Sequence, residues 1–486
     1  DLGGQWFSNS VQSWEMAPAS LATQTPIHVR TQGSEESLRD PFTGEVTSKV
    51  ATAFSYGSHG NVTQTVVDTY TGASSLTATQ ITQNTYSDDV GAWRLGRLTA
   101  STITHRRPGH PDVVRTAGFS YAMSGVKTGL LTLEQTQPGG AANLASAKAY
   151  ALDEFGNRLQ SVTCAAPATD CSLSGFVFQP SSLDAIRRYS RVEYDAQGRF
   201  PVATYEPFSD VMGSQERRTT YVVSRNIFGE ATDVLDVNGV RSLAIKGALG
   251  RDYFSWTQTM PGASPGNGGI TGTTTYRWCS GTGAVPCPVG AVFRQQIAAT
   301  AAARQWTWFD VLGRPIMKAG ETFNVGVIDQ DVSATCTEYD GAGRVAKTSV
   351  PFFLSGTAGT TGPSDVGSVC SAPSRAWATT TYDLLGRPTL IQAPDGSQQS
   401  TQYAGRTTTA WDQRSNPTVQ VVNGKGEVLS MQDASGFTTQ FTYQADGNVA
   451  SVTRNAGAGA ITNTFSYDVL GRKIQQVDPD TGTSTL

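Results

Sequence analysis

Tyr382-Asp-Leu-Leu-Gly-Arg-Pro-Thr-Leu-Ile-Gln-Ala-Pro-Asp-Gly396 holds two turn signals and the strand between them. Asp favours the first position of a type I turn, where its carboxylate accepts backbone N–H bonds. Gly three residues later takes a positive φ and closes a hairpin with a G1 bulge. The aromatic before the Asp ends the incoming strand, and the Arg after the Gly starts the outgoing one. The same unit reads Tyr194-Asp195-Ala-Gln-Gly198-Arg199, Phe309-Asp310-Val-Leu-Gly313-Arg314, Tyr339-Asp340-Gly-Ala-Gly343-Arg344 and Tyr467-Asp468-Val-Leu-Gly471-Arg472, beside Tyr382, Asp383, Gly386 and Arg387. Degenerate copies lie at Tyr56–Asn61, Leu152–Asn157, Asn226–Glu230, Leu235–Gly239 and Tyr443–Asn448.

Towards the C-terminus the period is plain. Tyr382, Tyr403, Val422, Tyr443 and Tyr467 are 21, 19, 21 and 24 residues apart. Second turn signals sit between them at Asp395-Gly396, Asn416-Pro417, Asp433-Ala-Ser-Gly436 and Asp480-Thr-Gly482. Two turns per unit leave strands of roughly 7 or 8 residues, about 25 Å long. Thr438-Thr-Gln-Phe-Thr-Tyr443 shows their threonine-rich alternation. The fold class is therefore all-β: an antiparallel ribbon of β-hairpins with few or no helices. Ser181–Arg188 and Ile297–Arg304 are the short helix candidates. Met260–Gly272, Gly281–Gly290 and the insertion Leu354–Ser364 read as loops.

Composition supports this reading. The chain has 486 residues, a net charge of -4 and 16% charged residues. Globular domains average about 25% charged residues. Threonine outnumbers even the 51 glycines, and Thr, Val and the aromatics suit a pleated sheet. No basic stripe marks a nucleic-acid binder, and no apolar run approaches the ~18 residues of a membrane span. Residue 1 is Asp, with no signal peptide behind it, and both ends read as cuts in a longer protein. The six cysteines form local groups, Cys164 with Cys171, Cys279 with Cys287 and Cys336 with Cys370. Pairing within groups is the simplest of the ~15 connectivities; free thiols and, last, a metal are the alternatives. Disulfides place the chain in an oxidising compartment, secreted or at the cell surface.

The Tyr-Asp-x-x-Gly-Arg units followed by Pro-Asp-Gly resemble the YD repeats of bacterial Rhs proteins. Similar repeats occur in the B and C subunits of insecticidal toxin complexes and in the teneurin shell. Asp40-Pro-Phe-Thr-Gly-Glu45 and Trp93-Arg-Leu-Gly-Arg-Leu98 resemble segments near the start of such regions. The resemblance implies a ribbon that spirals into a hollow shell, here a partial one. It divides the chain into a flanking segment, 1–30, and a repeat region, 31–486, that continues beyond residue 486. In polymorphic toxins of this family the shell encloses a C-terminal effector of the same polypeptide. That effector is released by a self-cleaving core, whereas Asp478-Pro-Asp-Thr-Gly482 reads as an ordinary repeat end.

The motif residues are thus read as architectural, each aromatic stacking on those of adjacent turns and each Arg bracing its turn. Other motifs carry little chemistry. Gly262-Ala-Ser-Pro-Gly266 matches a nucleophile elbow, but Pro after the Ser denies it the helix that the elbow needs. His105-Arg-Arg-Pro-Gly-His110 lacks a helix to align two metal ligands. Gly266–Gly272 and Gly457–Gly459 lack the lysine of a phosphate loop. Asn61-Val-Thr63 fits a glycosylation acceptor, and the Trp and Tyr side chains fit structural stacking better than a sugar face. No catalytic, cofactor or metal residue is assigned, and an enzyme is not expected. The expected function is encapsulation by a secreted or surface shell; the alternative is an adhesion module that binds a receptor or glycan.

Overall fold

The computed structural model describes residues 7–16, 29–141, 143–165, 187–210, 213–247, 250–260, 268–300, 302–322, 332–354, 362–455 and 459–486. Among them are 34 strands and a single turn of 3-10 helix, Val369–Ser371. Neighbouring strands pair antiparallel, almost always with the next strand in the chain, as Val46–Tyr56 pairs with Val62–Thr71 and Thr438–Tyr443 with Val449–Arg454. The chain divides into two compact units. One comprises Asp1–Arg191, Pro207–Gln215 and Thr401–Leu486; the other comprises Val192–Glu206 and Glu216–Ser400.

The first unit begins with Ser8–Met16 paired to Val29–Arg39. Its early strands are long: Ser75–Asp89 has 15 residues and Arg94–Arg107 has 14. Its late strands are short, 5 in Val428–Gln432 and 7 in Ile461–Tyr467. The expected 7 or 8 residues fit Ile461–Tyr467 but fall short of the early strands and exceed Val428–Gln432. The late turn at Asp468 keeps Arg472 out of the ladder, so the outgoing strand starts later, at Lys473; in the second unit the turn at Asp383 does the same, and its strand starts at Pro388.

Few side chains are fully buried. All ten residues of Val62–Thr71 are half-buried, on both faces of the strand. Hydroxyl pairs bridge neighbouring strands instead: Thr71 to Thr77 at 2.7 Å, Thr453 to Thr462 at 2.9 Å, Thr442 to Ser451 at 2.7 Å. Cross-strand hydroxyl pairs stabilise a sheet without a thick core. The first unit has a small cluster of Ala147, Ala149, Val162, Cys164 and Tyr189.

The second unit carries the larger core. Trp306, Trp308, Met317, Val332 and Cys336 form one packed face, and Leu354 at the start of the insertion and Val366 just after it pack against that face. Cys336 is bonded to Cys370, with Cα atoms 5.7 Å apart, and Cys279 to Cys287 at the same Cα separation. Cys171 lies outside the described residues. Ile297–Arg304 is not helical: strands Phe293–Ala299 and Ala302–Phe309 run through it, with Ala299 opposite Ala302. Alanine's helix propensity is a weak prior, and pairing of Ile297 with Thr274 and Gln305 overrides it. Arg187 and Arg188 of the other helix candidate belong to strand Arg187–Tyr194; residues 181–186 lie outside the described residues. Gly269–Gly272, expected as loop, opens strand Gly269–Trp278.

Candidate functional site: the repeated turn and the seam it builds

Each full motif is a compact polar device. In the turn at Asp310, Gly313 N–H donates to the Asp310 carbonyl and Asp310 N–H donates to the Arg314 carbonyl, both at 3.0 Å. The Asp310 Oδ1 accepts the N–H groups of Leu312 and Arg314 at 2.9 Å, and Arg314 Nε donates to Oδ2 at 2.8 Å. Gly313 sits at φ 74°. The bonds recur at Asp340, Asp383 and Asp468, where Arg344, Arg387 and Arg472 reach Oδ2 at 2.7, 2.6 and 2.6 Å. At Asp195 the backbone bond from Arg199 is kept at 2.7 Å, but its guanidinium stands off at 3.7 Å. Burial pushes the Asp310 and Asp468 carboxyls up, but the bonds from Arg314 and Arg472 outweigh it and hold both below the ordinary range. At Asp340 the Arg344 backbone bond is the main cause of the same depression.

The degenerate turns keep the geometry and exchange the charges. Asn157 donates to Asp153 Oδ2 at 2.9 Å, and Asn416 to Asp412 Oδ2 at 2.9 Å. In two turns the acid moves to the far end: Asn226 donates to Glu230 at 2.7 Å, and Asn423 to Glu427 at 2.6 Å. These four turns pair one acceptor with one donor four residues apart, in either order, whereas Asp236 holds only backbone N–H groups and Asn448 donates to Asp446, two residues away.

The motif aromatics have two kinds of neighbour, a second ring or a guanidinium. Among the described residues Phe309 stacks on Phe293, with centroids 4.7 Å apart. For Tyr339 and Tyr382 the neighbour is an arginine. Arg314 lies over the Tyr339 ring at 4.5 Å, and Arg344 over Tyr382 at 4.6 Å. Each phenol then donates to the backbone of the preceding hairpin: Tyr339 to the Pro315 carbonyl at 2.9 Å and Tyr382 to the Val345 carbonyl at 2.7 Å. A ring beside a guanidinium gains cation–π attraction that a second ring would not supply. Arg314 and Arg344 therefore each brace their own Asp and seat the next motif's Tyr.

Within the first unit, turns of the late segment meet turns of the early segment in order along the chain. Arg406 reaches Glu45 at 3.3 Å. Gly424 N–H donates to Thr71 Oγ1 at 2.8 Å. A Cβ at Gly424 would stand 2.0 Å from the Tyr70 carbonyl oxygen, so only glycine fits there. Arg107 grips both oxygens of Glu427, at 2.7 and 2.8 Å. Arg115 donates to Asp446 at 2.9 Å and to the Val469 carbonyl at 2.7 Å, and Arg472 donates to the Asn143 carbonyl at 2.7 Å. These partners are 320 to 361 residues apart in sequence. They form a polar seam between two edges of ribbon.

The seam residues escape a reading for repeats, because their partners are more than 300 residues away. One signal was available: the doubled glycine in Asn423-Gly-Lys-Gly-Glu427. The His105–His110 motif serves the seam through Arg107, and its Pro108-Gly109 forms the tip of a hairpin in which Arg107 faces His110. Gly262–Gly266 lies outside the described residues. Among the described residues no three His, Cys, Asp or Glu side chains converge as metal ligands would. No described helix is long and apolar enough to cross a membrane, which leaves β-barrels unaddressed.

No family model matches the chain, and no curated protein matches its sequence. Solved structures do match its fold. A crystal structure titled TcdB2-TccC3-TEV aligns with a TM-score of 0.62 at 11% identity, over 99% of this chain and 33% of the other. A second crystal structure, TcdB2-TccC3, gives 0.58 at 13% identity, over 99% and 31%. A Tc holotoxin pore of Photorhabdus luminescens gives 0.59 at 12%, over 99% and 32%. This chain is thus similar in fold to Tc toxin chains and spans about a third of their length.

Proposed function

We propose that the chain is wall: a segment of a hollow YD-repeat β-shell, residues 31–486, of a secreted or surface protein that encloses an effector carried by the same polypeptide. The observation that carries this reading is the seam. A ribbon whose late turns bind its early turns in order has returned upon itself, and a returning ribbon builds a wall. The half-buried faces of its strands, with hydroxyl pairs in place of a second layer, support a wall rather than a solid core. The likeness to Tc toxin chains supports it at the level of fold. Two disulfides support an oxidising location. The role is structural and non-catalytic. Small-angle scattering tests the wall: a solid particle of this length has a radius of gyration near ~23 Å. A larger radius with a hollow distance distribution is expected, and a compact solid profile would refute the proposal.

A further inference from the structure

Residues 362–371 run over the tryptophan face of the second unit as a strap. Among the described residues they join no strand, and their regular structure is the 3-10 turn Val369–Ser371. Gly362 lies flat on the core: a Cβ there would stand 2.7 Å from Trp306 Nε1. Val366 is fully buried against the face. Val289 N–H donates to the Gly367 carbonyl at 3.0 Å, and Arg375 Nη2 donates to the Val369 carbonyl at 2.9 Å. The covalent tie is Cys336–Cys370, and its two ends differ in access. Cys336 is 1% exposed within its strand. Cys370 is half-buried and lines a cleft of about 430 Å³ with Val289, Thr337, Glu338 and Ser371. The bridge Cys279–Cys287 is of another kind: it ties one short loop to itself, and that loop's Pro286 carbonyl accepts Trp308 Nε1 at 3.1 Å.

We propose that Cys336–Cys370 is a thiol-operated catch on this strap. An external dithiol enters the cleft, and one of its thiolates attacks the Cys370 sulfur, the end that the cleft leaves within reach. The bond to Cys336 breaks, and the Cys336 sulfur leaves as a thiolate that takes up a proton. The second thiolate of the reagent attacks the mixed disulfide, closes a disulfide within the reagent and releases the Cys370 sulfur, which is protonated in turn. Two electrons thus pass from the dithiol to the bridge. Closing a loop of 34 residues is worth about a thousandfold in equilibrium constant, and reduction removes it. Val366, the bond to Val289 and the bonds from Arg375 then hold the strap, with no ladder behind them. The strap lifts, and Trp306, Trp308 and Met317 meet water. Reduction of Cys279–Cys287 frees one short loop and leaves the strap in place. The catch belongs to the second unit and does not depend on what the ribbon encloses.

Treatment of the whole chain with dithiothreitol, in mildly alkaline buffer without denaturant, tests this. Alkylation and peptide mapping read which bridge has opened, acrylamide quenching reads tryptophan exposure, and far-UV circular dichroism reads the sheet. Cys336 and Cys370 should become alkylated while the sheet signal is kept. Tryptophan should lose its protection from acrylamide, down to the level of the variant Cys336→Ser with Cys370→Ser. Replacing the reagent by its oxidised form, before alkylation, should restore both the bridge and the protection. The variant Cys279→Ser with Cys287→Ser should respond as the parent chain does, which assigns the response to the other bridge. A Cys336–Cys370 bond that resists the dithiol until denaturant is added overturns the proposal. So does reduction that leaves quenching unchanged, or that abolishes the sheet signal; the bridge is then a staple and not a catch.

Discussion

Four residues decide each turn, and their chemistry is complementarity rather than identity. Asp383 has two backbone N–H groups and the Arg387 guanidinium on its carboxylate. In Asn423–Glu427 the same positions carry amide and acid in reverse, with the same pattern of bonds. Reversal should therefore be transferable. Asp383→Asn alone loses a charged acceptor, and Arg387→Glu alone sets two carboxylates against each other. Each should cost about 2 kcal/mol. The double variant rebuilds the Asn–Glu turn and should recover most of that loss. Urea titration of the four proteins gives the coupling; additive losses would show that the two orders are not equivalent.

At the scale of elements, the second unit depends on its insertion and the residues just after it. Leu354 and Val366 cover Trp306, Trp308 and Met317, and Cys336–Cys370 ties that segment to its strand across 34 residues. Closing a loop of that length is worth about 4 kcal/mol by chain entropy, against about 2.5 for the eight-residue separation of Cys279 and Cys287. Cys336→Ser with Cys370→Ser should thus lower the unfolding midpoint more than Cys279→Ser with Cys287→Ser. It should also raise the solvent quenching of tryptophan fluorescence, as Trp306 and Trp308 lose their cover. Equal midpoints and equal quenching would show that packing alone holds the insertion.

At the scale of the whole molecule, acid should loosen the seam before it unfolds the turns. Burial and the facing charge of Arg115 hold His105 below its ordinary 6.5; Lys425 acts the same way and Asp446 opposes them. The folded chain thus keeps His105 neutral while the unfolded chain protonates, so stability falls as pH drops below 6.5. Burial raises the Glu427 carboxyl, but Arg107 and Asn423 outweigh it and hold it below 4.5. Its contribution, with that of the turn aspartates, is present above their unfolded values and is lost as pH falls through the lower folded ones. The urea midpoint should decline in two stages, shallow below 6.5 and steep below 4.5. His105→Gln should remove the first stage only. A midpoint that stays flat until the carboxylates titrate would rule out His105 as the sensor.

The sequence by itself determined the turns, the hairpin order and the all-β class. Those are local matters: Asp, Gly and Arg within five residues close a turn wherever they stand, and the threonines between them suit paired strands. It also identified two of the stapled loops, because Cys279 and Cys287 bracket nothing but Gly, Pro, Ala, Ser, Thr and Val, and Cys336 and Cys370 bracket the insertion. Tertiary structure alone decided the partners of each arginine. Nothing near Arg107 in sequence names Glu427, and no local rule places Arg344 over Tyr382 rather than Tyr382 over another ring. The alanines of Ile297–Arg304 read as helix until the flanking strands claim their backbone groups. The close approach at Gly424 is visible only when Tyr70, more than 350 residues earlier, arrives beside it. Turn chemistry is short-ranged and so is written in the chain; the seam depends on where the ribbon returns, and that is set by the accumulated twist and length of every strand between.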